Sequence, residues 1–190
     1  MCPPNLDRYL KTEKQKTFGY DFLQNAGGYE AWDDVKFGEE FDGEQVFHIK
    51  AEDMIAYAEG VSDSNRLFTD EEYAKESPYG ELVPHPLFVV QITFWCIGVK
   101  GKGNWIRTPG ARNPGQRIEL YDQFHVGEEI HIKQKAYDRY IKRGKYYLTY
   151  QVDLYNQHNV KKATWWVNLI LPKTKADILK FARGERGVEV

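Results

Sequence analysis

The most apolar stretch of the chain is PLFVVQITFWCIGV, residues 86–99, where Gln91 and Thr93 are the only polar side chains. Pro86 suits the first position of a helix, because the N–H that proline lacks has no helical partner there. A continuous apolar run also fits a buried strand, so the pattern alone leaves both structures open. Its length of about four helical turns and the proline at its start favour a helix that other elements enclose on nearly every side.

Three later stretches alternate apolar and polar residues, which is the two-residue period of β-strands. The first stretch places Ile130, Ile132, Gln134 and Ala136 on one face, with a less regular alternation than the other two. The second stretch places Tyr146, Leu148, Tyr150, Val152 and Leu154 on one face, and the third places Ala163, Trp165, Val167, Leu169 and Leu171 on one face. The sequence YNQHNV between the last two is typical of a hairpin turn. A buried helix followed by antiparallel strands predicts an α+β hot-dog fold, in which the sheet curls around the helix.

Shorter elements are predicted before the apolar run. Residues 46–50 alternate in the manner of a short strand, and residues 51–60 predict a helix that Gly60 ends. Thr69 followed by Glu72 resembles the capping box of a helix of about two turns. These elements would lead the chain up to the start of the central helix.

The chain divides by composition into two parts. Residues 1–33 are polar and mixed, with a Gly-Gly break, and they predict an N-terminal extension. Residues 34–190 predict a single hot-dog domain, for which this length supplies a substantial core. Within that domain, the Gly- and Pro-rich residues 101–116 predict a connection without regular structure.

Composition narrows the classes of function. The net charge of −2 gives no electrostatic basis for binding nucleic acid or an anionic membrane. Two cysteines, Cys2 and Cys96, make no disulfide framework, which favours a reducing compartment. No apolar run reaches the ~18 residues of a membrane span, and the amino terminus is polar, so we expect a soluble cytoplasmic protein.

Candidate chemistry concentrates in AEGVSDSNRLF, residues 58–68. Asp63 and Asn65 carry small polar groups that suit a water or a substrate, although Asp and Asn also accept backbone N–H groups in ordinary turns. His85 stands just before the apolar run, where it either borders a pocket or is a loop histidine. The spacing of His, Cys, Asp and Glu suggests no metal site.

The stretches VKFGEEFDGEQVFHIKAEDMIAYAEGVSDSN, EEYAKESPYGELVPHPLF and FHVGEEIHIKQKAYD have a familiar order and spacing. Together they resemble the MaoC-like hydratase/dehydratase family, including its branch of FAS1-like dehydratase domains, over roughly residues 34–171. The resemblance implies a hot-dog fold and reversible addition of water to the 2-enoyl group of a thioester on coenzyme A or acyl carrier protein. It implies no cofactor beyond the coenzyme A thioester that serves as substrate.

The family's mechanism maps onto this chain only in part. In the family an Asp and a His five residues later activate the water, and a backbone N–H at the start of the central helix polarises the thioester carbonyl. Asp63 matches the Asp, and His85 matches the His of the family's Ala-His-Gly motif. Phe68 stands where the water-activating His belongs, and Pro86 stands where the Gly with its N–H belongs. The resemblance therefore implies the loss of one proton carrier and one carbonyl-polarising donor.

The resemblance also predicts which residues meet the substrate. Asp63 and His85 are the predicted catalytic residues. By composition, the Gly- and Pro-rich connection with Lys100, Lys102, Arg107 and Arg112 is either a solvated loop or a basic loop that binds the phosphates of coenzyme A. The predicted substrate contacts are Asn65, Phe68, Pro86, Leu87, Arg107 and Arg112.

Four functions remain open at this point. The first is a hydratase subunit whose degraded site pairs with a catalytic hot-dog partner, because the chain holds only one hot-dog unit. The second is a self-sufficient homodimeric enoyl-CoA hydratase that uses Asp63 with His85 or a water. A hot-dog thioesterase is disfavoured because residues 82–118 contain no Asp or Glu. The fourth is a module that binds acyl-CoA without catalysis.

Overall fold

The computed structural model describes residues 9–18, 23, 25–99 and 102–185. Its helices are α1 (Glu13–Thr17), α2 (Ala51–Gly60), α3 (Arg66–Thr69), α4 (Glu71–Glu76), α5 (Phe88–Ile97) and α6 (Lys175–Ala182). Its strands are β1 (Glu40–Asp42), β2 (Phe47–His48), β3 (Arg112–Leu120), β4 (Glu129–Lys142), β5 (Lys145–Tyr155) and β6 (Lys161–Ile170). Within these residues no helix is long and apolar enough to span a membrane.

The strands form one curved antiparallel sheet. Its order is β1–β4–β5–β6–β3, and β2 pairs with β4 as well. The register of β4 with β5 shifts between Ala136 and Asp138, the kind of irregularity at which a strand bends. The predicted hairpin turn between β5 and β6 is confirmed, with Asn159 at a positive φ of 59° and the Asn156 side chain accepting backbone N–H groups across the turn.

The apolar run forms the central helix α5, as predicted. Phe88, Ile92 and Cys96 are fully buried and recur at four-residue intervals along it. The predicted inner faces of β4, β5 and β6 pack around this helix. Gln134 is buried among them, and its side-chain oxygen accepts the hydroxyl of Tyr150, which satisfies a polar group at an otherwise apolar position.

The central helix is shorter than predicted at both ends. The N–H of Phe88 donates to the carbonyl of His85 at 2.8 Å, so Pro86 and Leu87 form a tight turn and the helix begins at Phe88. Pro86 is therefore not the first helical residue. At the other end, Gly98 takes φ 68° and ψ −146°, a conformation that glycine alone adopts readily, and the helix stops before it.

Two predictions before α5 need correction, while helix α2 has the predicted bounds. The strand predicted over residues 46–50 is only Phe47–His48, because Lys50 takes the N-cap position of α2. The predicted capping box does not form at Thr69. Instead Asp70 caps α4, its side chain accepting the N–H of Tyr73 at 3.0 Å.

Residues 112–116, the last part of the predicted irregular connection, belong to strand β3, whereas residues 102–111 precede it without forming a strand. Strand β3 pairs with β6 at the end of the sheet, and its register shifts between Arg112 and Gly115. Pro114 fits there because an edge strand needs ladder N–H groups on one side only. The glycine and proline of this stretch therefore mark an irregular edge rather than a loop.

Several of the described residues before position 34 pack against the rest of the chain. Tyr29 and Ala31 form a small apolar cluster with Ile178 of α6, separate from the main core. Lys14 of α1 places Nζ 2.5 Å from a carboxylate oxygen of Asp53, which is fully buried in the first turn of α2. A division into an extension and a domain at residues 33 and 34 stays a prediction.

Candidate active site

The structure places Asp63 and His85 side by side. Asp63 follows α2, His85 precedes α5, and His85 Nε2 lies 3.6 Å from Asp63 Oδ2. The other ring nitrogen, Nδ1, accepts the backbone N–H of Leu87 at 3.1 Å. The proton of the neutral imidazole is therefore on Nε2 and faces the carboxylate. The two residues predicted to be catalytic therefore lie in contact, with the protonated ring nitrogen on the side of the carboxylate.

A compact turn holds Asp63 in this position. Ser62 adopts a positive φ of 60° just after α2 ends. Asp63 Oδ1 accepts the N–H of Asn65 at 2.9 Å, and Asn65 in turn caps α3 with its own side-chain oxygen. One oxygen of Asp63 thus serves the turn, and the other faces His85. Asn65, a predicted substrate contact, has a capping role here.

Aromatic rings surround the imidazole of His85. Phe68, at the position of the expected histidine, meets it edge on, with ring centroids 5.6 Å apart. Tyr57 of α2 lies 5.5 Å from the same ring and 5.7 Å from the ring of Phe88. Burial raises the pKa of Tyr57, so its hydroxyl stays protonated and uncharged. Phe68 therefore supplies a wall to the site and no proton carrier.

The start of α5 offers a backbone donor despite Pro86. The N–H groups of Leu87 and Phe88 are engaged by the ring and the carbonyl of His85, respectively. The N–H of Val89 has no hydrogen-bond partner within the part of the chain that the structure describes. It lies in the first turn of the helix, where the helix dipole adds positive potential. Val89 is therefore a candidate for polarising a bound carbonyl group.

A cavity of about 330 Å³ opens beside His85. Its wall is mostly apolar with a few polar groups, which is the composition of small-molecule sites. The lining residues come from the loop before α5, from α5 and from the end of β3 with the loop that follows. They are Val83, Pro84, His85, Pro86, Val89, Leu120, Tyr121, Asp122, Gln123 and Phe124.

The two predicted phosphate-binding arginines lie apart from the Asp63–His85 pair. Arg107 is only 5% exposed and donates to the carbonyl of Gly98, at the carboxyl end of α5. Arg112 is exposed at the start of β3. Lys100 lies outside the described residues. Arg107 lines a second cavity of about 300 Å³ together with Phe18, Phe94, Ile106, Thr108, Gly110, Ala111 and Phe181.

Sequence reasoning missed three residues at this site, namely Tyr57, Val89 and Asp122. Tyr57 is one of several residues of α2, and only the packing of the helix decides which one faces His85. Asp122 stands just beyond the acid-free residues 82–118 and reaches the cavity because β3 ends there. The stretch RIELYDQF could have indicated Asp122, but only if its first residues had been predicted to be the end of a strand.

Comparison with protein families and curated proteins gives two matches. Residues 36–164 match the family described as the FAS1-like dehydratase domain region. The 3-hydroxybutyryl-CoA dehydratase of Methylorubrum extorquens is 24% identical over 85 residues, which are 45% of this chain and 51% of that protein. The chain thus spans about half the length of this curated relative.

Comparison with solved structures supports the same fold. The MaoC-like dehydratase from Rhodospirillum rubrum superposes with a TM-score of 0.62 at 20% identity, over 75% of this chain and 96% of the other. The HadBC complex from Mycobacterium tuberculosis, described as a 3R-hydroxyacyl-ACP dehydratase, gives a TM-score of 0.60 at 16% identity, over 70% and 96%. The predicted hot-dog fold is therefore confirmed.

Proposed function

The chain belongs to the FAS1-like dehydratase domain family, and from this membership we propose that it adds water to 2-enoyl thioesters and removes it from 3-hydroxyacyl thioesters. The observation that carries the proposal is the 3.6 Å contact of Asp63 with His85, a residue that lines the cavity. The names of the relatives, a 3-hydroxybutyryl-CoA dehydratase and a 3R-hydroxyacyl-ACP dehydratase, support this reaction class. The proposed substrates are thioesters of coenzyme A or acyl carrier protein.

We assign the proton transfers to Asp63. In hydration, the water oxygen forms a bond to carbon 3 of the acyl group, and one water proton passes to the Asp63 carboxylate. Carbon 2 then takes a proton from the resulting carboxylic acid, which restores the carboxylate. The Nε2 atom of His85 lies 3.6 Å from Oδ2 of Asp63. In this mechanism His85 orients the carboxylate of Asp63 and neither gives nor takes a proton.

The thioester oxygen gains negative charge during the reaction and needs a fixed donor. Pro86 has no N–H to supply it. The donor that we propose is the N–H of Val89 at the amino end of α5, which has no other partner among the described residues. The dipole of α5 would add to its effect.

The first experiment is hydration of crotonyl-CoA by the purified chain, followed through the loss of enoyl absorbance. Asp63→Asn should lower kcat at least about a hundredfold, because a positioned proton carrier contributes that much. His85→Leu should lower kcat by a smaller factor, since the base remains but loses the polar neighbour that orients it. Asp42→Asn removes an exposed carboxylate of β1 and should leave the rate unchanged. Full turnover by the Asp63→Asn variant would exclude Asp63 as the proton carrier.

A second function is favoured by the two departures from the family motif, at Phe68 and Pro86. In it the chain is the degraded half of a heteromer and shapes the acyl pocket of a catalytic hot-dog partner. The HadBC structure is described as a complex, which supports such pairing. We propose a pair of hot-dog chains in either case, a homodimer in the first function and a heteromer in the second.

The same assay separates the two functions. The heteromer is favoured if the purified chain alone does not hydrate crotonyl-CoA but a mixture with a hydratase encoded by a neighbouring gene does. In that mixture Asp63→Asn should then have little effect on kcat. Release of coenzyme A from butyryl-CoA would instead indicate a thioesterase.

A further inference from the structure

A buried lysine stands behind the cavity at His85. Lys162 of β6 is only 1% exposed, and its Nζ lies 2.8 Å from Asp122 Oδ2 and 3.0 Å from Glu128 Oε1. Burying a lone charge is costly, so a buried lysine needs a partner. Glu128 already supplies one inside the protein, where it also accepts the side-chain amide of Asn156. Asp122 is a second anion on the same lysine, and it is the one that lines the cavity.

The contacts of Asp122 keep it ionised and fixed. The hydrogen bond from Lys162 lowers the pKa of Asp122 from its ordinary value, and the slight burial of the carboxylate opposes this only in part. Asp122 Oδ1 accepts the backbone N–H of Gln123 at 2.9 Å. The side chain still keeps 49% of its surface exposed. A full negative charge in a fixed orientation is therefore available to whatever occupies the cavity.

The cations next to the cavity wall are already paired: Lys162 with Asp122 itself, and Lys161, which lies over the ring of Tyr121, with Asp153. All ten lining residues belong to the described part of the chain, and neither a lysine nor an arginine is among them. The charge of Lys162 is already shared between two carboxylates. The nearby Asp63 adds a further carboxylate beside His85. An acyl group with a carboxylate of its own would meet like charge there and no lysine or arginine on the wall.

We propose that Asp122 is a specificity residue that excludes acyl groups with a second carboxylate and restricts the protein to thioesters of uncharged acyl groups. The proposal rests on the proposed function, since it takes the acyl group to occupy the cavity at His85. Selection of this kind depends more on repulsion of carboxylate-bearing acyl groups than on attraction of uncharged ones. An uncharged acyl group that bears a hydroxyl would find an acceptor in the same carboxylate.

The test measures binding, so that it does not depend on turnover. Butyryl-CoA and glutaryl-CoA differ by one terminal carboxylate, and neither has a double bond to hydrate. Calorimetry should show that the wild-type protein binds butyryl-CoA at least about tenfold more tightly, a ratio that like charges several ångströms apart near a protein surface readily produce. Asp122→Asn should bring this ratio close to one, mainly by improving the affinity for glutaryl-CoA.

A matched control removes the same charge from a neighbouring place. Glu119 of β3 contacts Arg117 and Tyr121 and does not line the cavity. Glu119→Gln should therefore leave the ratio of the two affinities unchanged. A second variant, Gln123→Glu, adds a negative charge to the cavity wall and should raise the ratio further, which keeps the proposal testable if Asp122→Asn fails to fold.

The outcomes distinguish this proposal from the function on which it rests. If both thioesters bind equally well to the wild-type protein, Asp122 does not select and the proposal is overturned, while the proposed function stands. The proposal is likewise overturned if Asp122→Asn, or Gln123→Glu in its place, leaves the ratio unchanged. If neither thioester binds, the proposed function fails and the assignment of Asp122 fails with it.

Discussion

Cys96 lies in the central helix, where burial raises the pKa of its thiol to about 12. Only the thiolate reacts with alkylating agents, so we expect iodoacetamide to leave Cys96 unlabelled in the folded protein at about pH 8. Urea should expose the thiol and allow complete labelling, which mass spectrometry of the peptide that contains Cys96 would measure. Fast labelling of the folded protein would show that α5 is not enclosed as described.

At the same scale, the sequence predicted the proximity of Asp63 and His85 better than the positions of the basic residues. Asp63 and His85 followed from a motif, and the structure brings them together because each stands next to the end of a helix. Arg107 fitted a phosphate contact by composition, yet it is buried against the end of α5. Burial of a side chain depends on residues remote in the sequence, so no local pattern could predict it.

At the scale of elements, the end of α5 depends on a glycine. A Cβ on Gly98 would overlap the side chain of Glu44, which accepts the N–H of Val99. We expect Gly98→Ala to lower the free energy of unfolding by at least about 2 kcal/mol, through backbone strain and steric overlap together. Urea denaturation would measure the change.

The matched control for that variant is Gly80→Ala. Gly80 also has a positive φ, of 72°, but a Cβ there meets open space. The backbone strain alone should cost about 1 kcal/mol. Equal losses for Gly80→Ala and Gly98→Ala would mean that the contact with Glu44 has no energetic consequence.

The elements also show why β3 escaped prediction while β4, β5 and β6 did not. The latter three have fully buried inner faces, and burial imposes the two-residue period on the sequence. Strand β3 is half-buried at most, with Ile118 the main apolar contribution to the core. An edge strand is under weaker constraint, so glycine and proline are tolerated and the alternation is lost.

At the scale of the whole molecule, helix α1 supplies an ion pair to the fold. Lys14 is the cation that pairs with the fully buried Asp53. We expect Lys14→Met to lower the free energy of unfolding by about 3 kcal/mol, because it leaves a buried charge without its partner. Lys16→Met breaks an exposed pair with Glu13 on the same helix and should change it by less than about 1 kcal/mol.

Urea denaturation of both variants would measure these losses. Small and equal changes would favour the interpretation of residues 1–33 as an appendage that the domain does not need. A loss confined to Lys14→Met would show that the ion pair from α1 stabilises the domain. The polar composition of this segment predicted an extension, but composition carries no information about a single long-range ion pair.

Strand β3 forms one edge of the sheet, and its last residue, Leu120, lies on the cavity wall together with Tyr121 and Asp122, which follow it. A second chain that paired with this edge strand would also lie next to the cavity at His85. The association of the two chains and the selectivity of the cavity would then depend on the same surface, the edge formed by β3. A different partner chain would then change the shape of the cavity beside His85, although the sequence of this chain stays the same.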